Sequence, residues 1–366
     1  MIKDTIVRWF VQNLLLPKKE NIENPGFIIE KIDSNENREI FLPETIFSNL
    51  ELMLKERKTV YMIGKFYGYS YASLCNFPNI KNSKNLSYFI YFLVRAVESI
   101  YASLLSHKID LSSKKFLLKM KDYIICRKNG LGYIFSEGGI AGIWAYMMQD
   151  PTIEAVQPKC QGRGDPECEV IAAPYKELVK MGYKPMRCRK LETLELDRTY
   201  QELNQIRPAR WAKNSLKSLI DSGFFKYSHG QVTFKGERFF LCEASFMYIL
   251  ERELKKVRGG LDILWDCSFD FGKRLAELAG RQDPNKFTAD FFPALGFGDI
   301  LALKKGKRYE IYIRCFPWTK WAKEIDFRMV RGWLSGLYSG MLEKEITFRL
   351  KKKGVTEGSF NLLLIS

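Results

Sequence analysis

Histidine is almost missing from this chain: His107 and His229 are the only two in 366 residues. Neither sits in a metal-spaced motif, and each reads as an ordinary surface or core residue. No Ser/His/Asp arrangement, phosphate-binding glycine loop between a strand and a helix, or paired metal-carboxylate motif is present. Gly162-Arg163-Gly164 falls in a turn, so it is no dinucleotide fingerprint. These gaps argue for a protein that is not an enzyme. A long uncharged apolar run is missing too. The most apolar stretch, Leu86 to Leu105, carries Arg95 and Glu98 and lacks cationic flanks, so it reads as a buried helix rather than a membrane span. Met1-Ile2-Lys3-Asp4 contains an acid and has no signal-peptide layout, so the chain is expected in the cytoplasm. Acid is in deficit: 58 Lys+Arg face 42 Asp+Glu, a net charge of +16. The excess lies in the middle and second half, which makes acidic partners, nucleic acid above all, a reading to weigh.

What is present is apolar matter enough for a core, at 46% of residues, which excludes whole-chain disorder. Ile6, Trp9, Phe10 and Leu14 predict an amphipathic helix within residues 1–25. Residues 26–42 read as two β segments around a polar turn at Asp33 to Asn37. Helical spacing follows from Pro43 to Arg57 and again over Met62 to Tyr71, and Leu86–Leu105 forms the third helix. Strands are expected at Tyr123 to Ile125 and Gly132 to Phe135, then a glycine-rich helix from Gly138 to Met148. The second half repeats the plan. Phe224–Tyr227 and Val232–Phe234 read as strands, and Leu241 to Val257 and Asp262 to Ala279 as helices. Ala302-Leu303 and Tyr309–Ile313 form a further hairpin, and a helix over Phe327 to Leu342 places Gly332, Gly336 and Gly340 at four-residue spacing. Small residues at that interval let a helix approach its neighbour closely. Ile346–Phe348 and Asn361–Ile365 close the chain. The fold class is therefore α+β, mixed α/β, with two tandem related domains of antiparallel sheet packed with helices. The divisions are an N-terminal helix (1–25), a first domain (26–175), a basic helical linker (176–222) and a second domain (223–366).

Eight cysteines are scattered, and only Cys160 and Cys168 are close in sequence. They flank Gly162-Arg163-Gly164-Asp165-Pro166, which is turn chemistry. A hairpin there brings both sulfurs to one point, as metal ligands or as a disulfide. Structural zinc takes four ligands. Cys126 is the best third candidate, with Glu154 or Gln157 as an oxygen donor. Counted from the terminal strands, Lys352 falls opposite Cys160 and Phe360 opposite Cys168 in the second copy, so the thiol pair is replaced by a cationic turn.

Cys-x-x-x-Gly-Asp-Pro-x-Cys at 160–168, preceded by Gly138-Gly139-Ile140-Ala141-Gly142, resembles the signature of the 4-vinyl-reductase-like domain family over about residues 26–175. The resemblance implies an α/β fold related to small subunits of the TRAPP transport complex. It also implies ligand sensing, ties to tetrapyrrole metabolism and, in several members, zinc held by the two cysteines, a further cysteine and a glutamate. Gln157 stands where that glutamate is expected. Family relatives often dimerise, and a homodimer is compatible with the apolar helices. No cofactor motif for hydride transfer accompanies the resemblance, so reductase activity is not expected.

Two surfaces complete the expectations. Phe89, Phe92, Tyr101, Trp144 and Met147 are candidate walls of a pocket for a small hydrophobic or aromatic ligand. Arg207, Arg210, Lys213 and Lys217 in the linker, with Lys304, Lys305, Lys307, Arg308, Arg349, Lys351, Lys352 and Lys353 in the second domain, are candidate phosphate contacts. The segment 205–240 also resembles the end of a winged helix. The leading reading is a ligand-sensing regulator or adaptor; the alternative is a nucleic-acid-binding transcription regulator.

Overall fold

Caps, breakers and side-chain alternation place most of the elements. The computed structural model describes residues 20–32, 35–54, 56–123, 131, 134–188, 191, 209–228, 231–317, 324–356 and 359–366. A short strand β1 (Glu20–Asn21) precedes the hairpin of β2 (Ile28–Ile32) and β3 (Asn35–Pro43). The ring of Pro43 removes a strand donor, and helix α1 (Glu44–Met53) begins at the next residue. Helix α2 (Arg57–Leu74) follows, then α3 (Leu86–Tyr101), which stops short of the expected Leu105.

Leu104 and Leu105 instead open strand β4 (Leu104–Asp110), paired with β5 (Lys115–Lys121). Of the strands expected at Tyr123–Ile125 and Gly132–Phe135, Ile124, Ile125, Gly132 and Tyr133 lie outside the described residues. Phe116, Leu118 and Met120 alternate inward along β5, a period of two that the neighbouring lysines obscure. Ile134 and Phe135 belong to helix α4 (Ile134–Met147). The hairpin of β6 (Ile153–Lys159) and β7 (Cys168–Pro174) comes next, followed by α5 (Tyr175–Lys180).

In the second half a six-residue helix α6 (Leu216–Asp221) starts at Ser215, whose hydroxyl accepts the Ser218 amide. Strands β8 (Lys226–Ser228), β9 (Gln231–Phe234) and β10 (Glu237–Glu243) follow, then helices α7 (Ser245–Leu254), α8 (Gly260–Ala279) and α9 (Pro284–Ala294). The expected helix from Leu241 thus begins later, after a strand. Helix α9 is an addition, started by the Asp283 cap and by proline at its first position. Strands β11 (Asp299–Lys305) and β12 (Arg308–Arg314), helix α10 (Arg328–Leu342) and strands β13 (Arg349–Thr356) and β14 (Ser359–Ile365) complete the order. The expected N-terminal helix lies outside the described residues, apart from Glu20 and Asn21 in β1, as does most of 189–208 in the linker.

The chain is mixed α/β, with antiparallel sheets packed with helices. It divides into two compact units, one comprising Phe47–Leu196, the other Lys18–Ile46 with Asp197–Ser228 and Val232–Ser366. The first hairpin therefore goes with the second unit rather than with the residues that follow it.

In the first unit a four-stranded sheet runs β4-β5-β7-β6. Helices α2 and α4 cross at glycines. A Cβ on Gly64 or Gly68 would run into backbone of α4, and one on Gly138 or Gly142 into the carbonyls of Tyr61 and Lys65. Glu51 on α1 accepts the Phe135 amide at 2.9 Å, satisfying one of the free N–H groups at the start of α4.

In the second unit one four-stranded sheet runs β11-β12-β14-β13, the same order read in sequence as in the first unit. Helices α8 and α10 cross at Gly272, Gly332 and Gly336, again with no room for a Cβ. Glu251 on α7 accepts the Met329 amide at 3.2 Å, at the second residue of α10, as Glu51 does at the second residue of α4. This unit also holds a six-stranded sheet, β1-β2-β3-β10-β9-β8, in which Phe41 faces Leu241. Trp333 fills its core against Phe271, Phe292 and Phe297, with ring centroids 4.7–5.7 Å apart. Among the described residues, no helix is long and apolar enough to cross a membrane.

Burial pushes the Glu251 carboxyl up to about 7. Unfolded, it would ionise near 4.3. The native state therefore holds a proton that the unfolded chain has lost, and this group makes stability fall as pH rises between those two values. Glu251→Gln keeps the cap oxygen and removes the proton, so urea melts at pH 5 and pH 7.5 should show a flatter decline than in the unaltered protein.

Candidate functional site

The β6–β7 hairpin is built by its turn. A single helical turn over Gln161–Arg163 ends at Gly164, whose φ of +97° is left-handed and suits glycine. The Cys160 carbonyl accepts the Arg163 and Asp165 amides at 2.9 and 3.1 Å. The Asp165 carboxylate accepts the Cys160 amide at 2.7 Å, closing the loop on itself. Arg163 reaches back to the Gln157 carbonyl at 2.6 Å and to the Leu131 carbonyl at 3.2 Å. The last strand pair before the turn is Lys159 with Glu169, so Cys160 and Cys168 come next, and their sulfurs meet.

Both cysteines are fully buried, with sulfurs 3.9 Å apart. The Gln161 amide donates to the Cys168 sulfur at 3.3 Å. That separation leaves the pair reduced. It is close to the ~3.8 Å that two Zn–S bonds of about 2.3 Å subtend at a tetrahedral centre. Glu137, in the first turn of α4, is the nearest acid to be perturbed. Burial pushes its carboxyl up to about 8 against the pull of Arg57 and Arg163, and Cys160 adds to the rise.

The other expected ligands do not gather here. Glu154 is buried in a separate network: Oε2 accepts from Tyr61 Oη and Lys65 Nζ, each at 2.7 Å, and Oε1 accepts the Cys188 amide at 2.8 Å. Lys65 also donates to the Ile153 carbonyl at 2.6 Å, and Tyr61 accepts the Ala155 amide at 2.9 Å. The carboxylate is engaged through both oxygens, which removes it as a metal donor. Gln157 is nearly buried beside the hairpin, bound through its backbone to Arg163 and Glu137. Cys126 lies outside the described residues. Among the described residues, no three His, Cys, Asp or Glu side chains are placed to share a metal ion.

Sequence reasoning missed the Tyr61–Lys65–Glu154 network. Burial makes Tyr61 harder to ionise, and the Glu154 carboxylate adds to the effect. The available signal was spacing. Tyr61 and Lys65 stand at i, i+4 on the glycine face of α2, beside Gly64 and Gly68, and all four are buried.

The expected pocket does not assemble as one wall. Phe92 is exposed at 46%. Trp144 is buried, stacked on Phe116 at 5.1 Å with its indole N–H on the Lys114 carbonyl. Met147 is buried, Phe89 packs on Phe77, and Tyr101 lies 6.3 Å from Tyr123. Trp144 and Met147 are core residues of the first unit.

The two hairpins can be compared through their bulges. Both shift register by one residue, before Lys159↔Glu169 in one and before Lys352↔Leu363 in the other. Aligned on those pairs, Lys353 stands in the place of Cys160 and Leu362 in that of Cys168. The positions expected by counting, Lys352 and Phe360, do not face each other: Lys352 pairs with Leu363 and Phe360 with Val355.

The cations divide. Lys353 is half-buried and donates to the Ile325 carbonyl at 2.8 Å. Lys305 pairs with Glu310 and Lys217 with Asp221, each at 2.7 Å. Arg210 and Lys213 are exposed near Asp299, whose carboxylate accepts the amides of Arg210, Trp211 and Ala212. Arg207 lies outside the described residues. Lys304, Lys307, Arg308, Arg349, Lys351 and Lys352 are exposed. The register carries Lys305–Arg308 and Arg349 to one end of a single sheet. The winged-helix reading finds a helix of six residues, and the strands after it join the six-stranded sheet. Neither protein-family models nor curated proteins yield a match to this chain.

Proposed function

We propose that this protein is a non-enzymatic regulator or adaptor made of two copies of one α/β unit, related to the 4-vinyl-reductase-like fold. The first copy holds a structural zinc at its cysteine hairpin, and the second offers a cationic sheet end to an acidic partner. One observation carries the reading. The same bulged hairpin, after the same glutamate-capped glycine helix, presents two facing thiols in one unit and Lys353 with Leu362 in the other. The soft donor pair and its sulfur spacing suit zinc, and Cys126 is the residue assigned as third donor. Zinc there would hold the hairpin end closed. Phe89 and Tyr101 remain the side chains assigned to a small hydrophobic ligand, and the chain works in the cytoplasm, where thiols stay reduced.

Metal analysis of purified protein tests this. About one zinc per chain is expected, and Cys160→Ser with Cys168→Ser should abolish it. A stable, metal-free native protein overturns the zinc assignment. Native mass spectrometry of the same sample should show the mass of any carried ligand.

Nucleic-acid binding is the second reading, favoured by the two cationic groups brought to one sheet end. Lys307→Glu with Arg349→Glu should weaken binding about tenfold at low salt and shallow the salt slope. Lys353 is left unaltered because it serves the fold. No binding of DNA or RNA at low salt would eliminate this reading.

A further inference from the structure

We infer that Cys160 and Cys168 form a reversible dithiol–disulfide pair, oxidised by a hydroperoxide. The inference stands on the two sulfurs alone and needs no metal. Three observations support it. The last register pair is Lys159↔Glu169, and Cys160, extended just past β6, and Cys168, at the start of β7, are the next residues on each side. Facing residues of an antiparallel pair have Cα atoms about 4.5–5.5 Å apart, inside the range of about 4.4–6.8 Å that a disulfide spans. Their sulfurs already lie 3.9 Å apart on the same buried side, so bonding asks for an approach of roughly 2 Å. The Gln161 amide donates to the Cys168 sulfur at 3.3 Å and fixes its place opposite Cys160.

Both thiols are buried, and the residues over them, Arg163, Gly164 and Pro166, are exposed turn residues. Oxidant reaches the sulfurs through an opening of this turn. One thiolate attacks the terminal oxygen of the hydroperoxide and breaks the O–O bond, giving a sulfenic acid and releasing an alcohol, or water from hydrogen peroxide. The second thiolate attacks that sulfur and expels hydroxide, which leaves as water with the proton of the second thiol. Two thiols lose two hydrogens, and the peroxide is reduced by two electrons. The bonded pair has no thiolates left to give a metal, so oxidation and zinc binding exclude one another. In the second unit, Lys353 and Leu362 occupy these places, so the switch belongs to the first unit.

The test uses the full chain, freed of metal with a chelator and exposed to one equivalent of hydrogen peroxide. The sample is then denatured, treated with N-ethylmaleimide, and measured intact and after trypsin. Arg163 lies between the two cysteines, so trypsin separates them and a disulfide appears as two linked peptides. The expected result is an intact mass carrying six maleimides rather than eight and a further deficit of about 2 Da, those linked peptides, and recovery of both thiols with dithiothreitol. Alkylation of both cysteines after peroxide, sulfinic acid at either, or a bond from either to a different cysteine would overturn it. Cys160→Ser should show no mass loss and an alkylated Cys168; if that variant does not fold, the peptide map of the unaltered protein decides. Zinc content is measured on a separate untreated sample, so a metal-free protein that forms the bond ends the zinc assignment and leaves this one standing.

Discussion

Gly336→Ala is expected to destabilise the second unit by about 3 kcal/mol or more and to lower its melting temperature by about 6 °C or more. The direction is diagnostic. In an open helix, alanine is more favourable than glycine by about 1 kcal/mol, so a loosely packed α10 would gain stability from the change. Here the added methyl would lie inside the Phe269 carbonyl, and backbone rather than a pliable side chain must give way. The helices have to separate, which pulls Trp333 out of its aromatic surroundings. Gly306→Ala is the control. Its site is open, with nothing near the new Cβ, and only its φ of +60° resists the change. That strain costs about 1 kcal/mol. Urea melts of the three proteins, followed by tryptophan fluorescence and far-UV circular dichroism, would show it. A Gly336→Ala protein as stable as the parent means the helices do not cross this closely.

Lys65→Met should cost the first unit about 3–5 kcal/mol, because it leaves the Glu154 charge buried without its cation. Both side chains are essentially inaccessible, at 0% and 1%, so solvent cannot compensate. The single loss overstates the worth of the pair. Lys65→Met combined with Glu154→Gln should recover much of the stability, since the amide oxygen can still accept the Cys188 amide while its NH2 donates to the Tyr61 oxygen. A double-mutant cycle by urea unfolding measures the coupling. A single variant losing less than about 1 kcal/mol would mean that water reaches the carboxylate and the network is not closed.

Much of this fold was legible where local chemistry is strong. Gly-x-Gly-Asp-Pro announced the β6–β7 turn, and the i, i+4 glycines announced the helix crossings, which are close enough to forbid a Cβ. What escaped was governed by partners distant in sequence. Residues Glu237–Glu243 are buried on both faces, so no alternation marks them as a strand, and they resemble the start of the helix behind them. Their partner, Asn35–Pro43, lies about two hundred positions earlier, and nothing local assigns it to the second unit's sheet. Glu154 read as a candidate oxygen donor because its partners, Tyr61, Lys65 and the Cys188 amide, are all distant in sequence. At the cysteine hairpin the residue types and the turn were readable. The bulges were not, because no residue type marks them.

That long-range strand pairing has a consequence for how the protein is made. The edge of β3 leaves the ribosome with its hydrogen-bonding groups unmatched, and β10 is translated only after the whole intervening unit. At about 5–20 residues per second the wait is roughly ten to forty seconds. During that time a nascent chain carries an open β edge, the kind of surface that holdase chaperones shield and that crowded polysomes tend to glue together.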